Sequence, residues 1–99
     1  MYAIFDVKPE DRARVDEVLS DPQDDLVSRQ SIVLRDGPSL GFPDLARVVL
    51  VEGSAAGVAR AVARFAFATR LAGEKAENVY RAIKSQEDDA ASGVGFIFG

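Results

Sequence analysis

The groups available for chemistry in this chain are carboxylates, guanidinium and ammonium groups, hydroxyls and two phenols, because histidine and cysteine are both absent. Their absence removes near-neutral proton transfer by imidazole, thiolate nucleophiles and the usual zinc ligand sets. What remains is carboxylate acid–base chemistry and anion binding by arginine or lysine. Asp6 is the first candidate base, since it interrupts the apolar run Tyr2–Val7 (YAIFDV); a carboxyl turned into an apolar layer has its pKa raised. The competing reading places Asp6 at the strand end, capping the next helix or pairing with an arginine. Glu52 is a second candidate base. The candidate ligand-binding residues are Ser54, Arg60 and Arg64: Gly53-Ser54 opens a helix whose first N–H groups are free for an anion, and both arginines follow on that helix. No acidic residue lies between Glu52 and Glu74, a local reversal of sign in a chain of net charge −4. Against this stands solvation of both arginines, or their pairing with Glu74, Glu77 or Asp88/Asp89.

Other constellations carry less. Gly93 and Gly95 in the terminal GVGFIFG end the chain instead of opening a helix, so they do not form a dinucleotide fingerprint, and no cofactor is expected. Asp24-Asp25 and Glu87-Asp88-Asp89 lack the glycine-containing spaced loop of a calcium site, and no metal is expected. These residues do not decide whether the chain is an enzyme, and its catalytic residues are unknown.

The bulk properties narrow the class. A pI near 4.7 argues against a nucleic-acid partner, which needs clustered Lys and Arg. No stretch approaches the ~18 apolar residues of a membrane helix. The first residues do not read as a secretory signal, so a cytoplasmic location is expected. With 99 residues, 47% of them hydrophobic and 28% charged, the chain reads as one globular domain spanning residues 1–99.

The elements that must position these residues follow from periodicity. Tyr2–Val7 reads as a strand, Pro9 to Leu19 as a helix entered through its proline, Leu26 to Arg35 as a second strand, and Leu45 to Val51 as a third buried on both faces. Ser54 then caps a helix running to Gly73, a further helix covers Glu74 to Ser85, and Val94–Phe98 (VGFIF) reads as a last strand. The order β-α-β-β-α-α-β resembles the ferredoxin-like plan, an α+β two-layer sandwich with an antiparallel sheet and helices on one face. Such a plan does not fix a function.

One consequence of that plan is apolar surplus. Val48/Leu50 and Val49/Val51 lie on opposite sides of the third strand, and a two-layer fold covers only one side. On the long helix, Phe67 and Leu71 oppose Val58, Val62 and Phe65, so they need cover from the next helix or from another subunit. Val49, Val51, Phe67 and Leu71 are therefore the expected interface residues of a homodimer. The functional expectation is a non-enzymatic homo-oligomeric interaction or small-ligand-binding domain. The alternative is a small enzyme acting on an anionic metabolite, with Asp6 or Glu52 as base and Arg60 or Arg64 as clamp.

Overall fold

Runs of β-branched and apolar residues form the centre of the sheet, and their register decides which side chains share a face. In the computed structural model, β1 (Tyr2–Val7) pairs antiparallel with β3 (Arg47–Glu52), matching Ile4 with Leu50 and Phe5 with Val49. The outer side of β3 carries β2 (Ser31–Asp36), and the outer side of β1 carries the two-residue β4 (Thr69–Arg70). The strand order is β2-β3-β1-β4, all antiparallel. Three helices complete an α+β architecture: α1 (Arg12–Leu19), entered through a 3-10 turn at Pro9–Asp11, α2 (Ala55–Arg64) and α3 (Gly73–Phe98). The structure describes the backbone of residues 1–98 and the side chains of residues 1–88.

Because successive residues of a strand point to opposite faces, β1 and β3 feed two cores. Ala3, Phe5, Val7, Val49 and Val51 pack with Val15 and Val18 of α1 and with Val58, Ala61 and Phe65. Ile4, Val48 and Leu50 pack on the other side with Leu40, Leu45 and, from α3, Val79 and Ile83. Helices therefore lie on both faces of the sheet, not on one. Val79 and Ile83 are fully buried. Each such aliphatic side chain contributes roughly 1.5–3 kcal/mol relative to exposure.

Three expected elements are corrected. The helix expected to reach Gly73 stops at Arg64, where Phe65 takes a non-helical backbone and the chain turns through Ala68 into β4. A continued helix would have held Phe67 and Leu71 opposite the buried face. Breaking it lets Phe67 meet Phe65 edge-on at 5.8 Å, within the first core. Leu71 crosses the sheet edge to join the second core. The strand expected at Val94–Phe98 falls within the range of α3, and the place beside β1 is already filled by Thr69–Arg70; Gly99 lies outside the described residues. The second strand begins at Ser31 instead of Leu26, because residues 26–30 close a turn in which Arg29 N–H donates to the Asp25 carbonyl and Val27 is drawn into the first core.

Candidate functional site

The residues expected to bind an anion are engaged in holding the fold. Ser54 Oγ accepts the Gly57 N–H at 3.0 Å, the N-cap role for that residue type. Its own N–H donates to Gln30 Oε1 at 3.0 Å, so the glutamine side chain seals the start of α2. Arg60 reaches Asp24 at 3.2 Å. Arg64 bridges Asp24 at 2.8 Å and Asp21 at 3.2 Å, tying α2 to the loop after α1. The hydrogen bond to Asp24 holds the Arg64 guanidinium above its ordinary pKa, and the Gln23 N–H, followed by Arg64, holds the Asp21 carboxyl below its own. Neither arginine lines either of the two clefts described below.

Both candidate bases are occupied too. Asp6 Oδ1 accepts the Ala46 N–H at 3.0 Å, bracing the segment that leads into β3. Glu52 accepts the Tyr80 hydroxyl and an ion pair from Lys84 at 2.8 Å. These partners, Lys84 first and Tyr80 second, hold the Glu52 carboxyl below its ordinary pKa. The same contacts raise the Lys84 and Tyr80 pKa values, and Tyr80 also stacks on Tyr2 at 4.1 Å.

The expected interface residues are likewise accounted for within the chain. Val49 and Val51 are 0% exposed beneath α1 and α2, and Phe67 and Leu71 are half-buried against the two cores. Among the described residues, Met1 is the only large hydrophobic side chain left exposed.

The sheet register instead assembles a site that no single segment of the sequence announces. Antiparallel pairing brings the end of β1, the end of β2 and the start of β3 to one end of the sheet, with Val7 and Asp36 both opposite Arg47. There the chain leaves a cleft of about 490 Å3, lined by Lys8, Arg12 and Arg47 with one carboxylate, Asp36. Its other walls are Pro9, Pro38, Leu45, Ala46 and Ser39. Among the described residues, none of these three cations forms an ion pair; Arg35, Arg70 and Arg81 are also without one, but none of them lines this cleft, so what sets Lys8, Arg12 and Arg47 apart is that they converge on one space.

The backbone around this cleft is tightly tied. Gly37 N–H donates to the Ala46 carbonyl at 2.8 Å, while the Ala46 N–H is held by Asp6. A Cβ at position 37 would collide with the Leu45 carbonyl, so glycine is required there by close approach of two backbone segments. Prolines open both flanking 3-10 turns, Pro9–Asp11 and Pro38–Leu40, where the fixed φ of proline suits the first position.

A second cleft, about 390 Å3, lies where α3 leaves the edge of β1, with Arg70 and Glu77 as its charged residues. Its charges are balanced, and it offers no cluster. Comparison with protein-family models, curated proteins and solved structures finds no match, so the chemistry of the first cleft carries the functional reading. Lys8, Arg12 and Arg47 were not grouped by the sequence analysis, in which Arg47 counts only as a cation on the strand before the Arg60/Arg64 helix, because 35 positions separate Arg12 from Arg47. The one local signal was that all three are cations next to strand or helix ends.

Proposed function

We propose that this chain is a non-enzymatic domain that binds a small anion in the cleft between the β1–α1 junction and the β2–β3 connection. The observation that carries the reading is the set of three cations, Lys8, Arg12 and Arg47, lining one cleft without an ion-pair partner among the described residues. Unpaired guanidinium and ammonium groups facing a common space are matched to carboxylate or phosphate oxygens. An enzymatic reading with Asp6 or Glu52 as base is less well supported, because each carboxylate already accepts hydrogen bonds from the fold. A homodimer formed through the sheet loses its motive, since α3 occupies the face that would have been shared. The strand order β2-β3-β1-β4, with a helix between β1 and β2 and another between β3 and β4, supports a ferredoxin-like reading of the sheet and its first two helices, to which α3 is an addition.

The test is thermal denaturation with inorganic phosphate. A ligand at a hundred times its Kd stabilises the folded state by about 2.7 kcal/mol. For a domain of this size that raises the midpoint by roughly 10–20 °C. Arg12→Gln and Arg47→Gln should each weaken phosphate binding, reducing the shift at the same phosphate concentration, while leaving the ligand-free midpoint unchanged. A shift that persists undiminished in both variants, or no shift with any small anion, overturns the proposal.

A further inference from the structure

Resting on that reading of the cleft, we infer that its ligand is a singly charged organic anion with a flat apolar body, of the aromatic carboxylate class, and not an inorganic anion or a polyphosphate. Three observations converge on this class. The first is size. At about 490 Å3 the open cleft is in the range of roughly 300–1,000 Å3 typical of small-molecule sites, larger than an inorganic ion held by the cations would cover. The second is lining. Pro9, Pro38, Leu45 and Ala46 give the cleft apolar walls beside the cations, and Leu45 is itself a member of the second core. An apolar body laid on these residues removes apolar surface from water, and the flat faces of proline rings and guanidinium groups suit a planar ring. The third is charge. Asp36, on the strand position opposite Arg47, places a negative group in the same cleft. It offsets part of the field of the three cations and disfavours a ligand with several negative charges.

The experiment is a titration of the full chain with four probes: acetate, inorganic phosphate, benzoate and 2-naphthoate, followed by calorimetry at constant ionic strength. The expected order is 2-naphthoate tighter than benzoate, and benzoate tighter than acetate or phosphate, with at least tenfold between naphthoate and acetate. Arg47→Gln should weaken all four probes. Pro38→Ala, at an exposed position, should weaken naphthoate several-fold while leaving acetate unchanged. If acetate and phosphate bind as tightly as naphthoate, the inferred ligand class is wrong while the anion-binding reading stands. If no probe binds, that underlying reading fails as well. Tighter binding to an Asp36→Asn variant by phosphate, without any gain for benzoate, is the expected sign that Asp36 acts on charge number; equal gains for both probes would overturn its assigned part.

Discussion

Ile83→Ala tests whether α3 belongs to the core of this protein. Ile83 is 0% exposed and shares the second core with Ile4, Val48 and Leu50. Truncation to alanine removes three carbon groups, about 2.4 kcal/mol of transfer free energy at ~0.8 kcal/mol each. The cavity left behind adds to this, and measured isoleucine-to-alanine losses in cores run about 2–5 kcal/mol. Against a total stability of roughly 5–15 kcal/mol for a domain of this length, a loss near 3 kcal/mol lowers the melting midpoint by about 12–24 °C. Circular dichroism melts of the variant and the parent, run at two protein concentrations differing a hundredfold, provide the measurement. If α3 were a surface appendage, the substitution would change stability by no more than about 0.5 kcal/mol. A loss that small refutes the packing argument, while a midpoint that climbs with concentration would show that folding is coupled to self-association.

Other expectations follow from single contacts. Glu52→Gln removes the ion pair to Lys84 and weakens the acceptor for Tyr80; with both side chains about a third exposed, the cost is about 1 kcal/mol by urea denaturation at pH 7. The Glu52 carboxyl is held below its ordinary value of 4.5 in the folded state, so its contribution is complete above that pH and disappears as the pH falls through the lower folded value. The parent and Glu52→Gln stabilities should therefore converge in acid, and a constant difference down to pH 2 would contradict the assignment. Gly37→Ala drives a methyl into the Leu45 carbonyl and should cost more than Gly73→Ala, where φ is +58° but no atom lies within 4 Å. Left-handed strain alone accounts for about 1–2 kcal/mol at position 73. Equal losses at the two positions would show that close approach at Gly37 is not limiting.

Local rules settled a definite part of this structure. Pro9 placed the entry to α1, Ser54 placed the start of α2, and the β-branched stretch in Leu45–Val51 identified a strand buried on both faces in the middle of the sheet. Each depends on backbone geometry or side-chain type within a few residues. The absence of histidine and cysteine likewise removed whole classes of chemistry from the composition alone. The apolar surplus on β1 and β3 was visible, but what covers it was not: whether Val48 and Leu50 meet Val79 and Ile83 or a second chain depends on where α3 is delivered. That delivery is made by the break after Arg64 and by β4, which carries the chain around the sheet edge. Helix propensity favours continuing through Phe67, and only burial of Phe65, Phe67 and Leu71 in two separate cores overrides it. The candidate site depends on tertiary structure in the same way. Arg60 and Arg64 looked available in the sequence until the loop holding Asp21 and Asp24 folded against them. Arg47 joined Lys8 and Arg12, themselves only four positions apart, when antiparallel pairing set the start of β3 beside the end of β1, since proximity between remote charges is fixed by sheet register and not by their spacing along the chain.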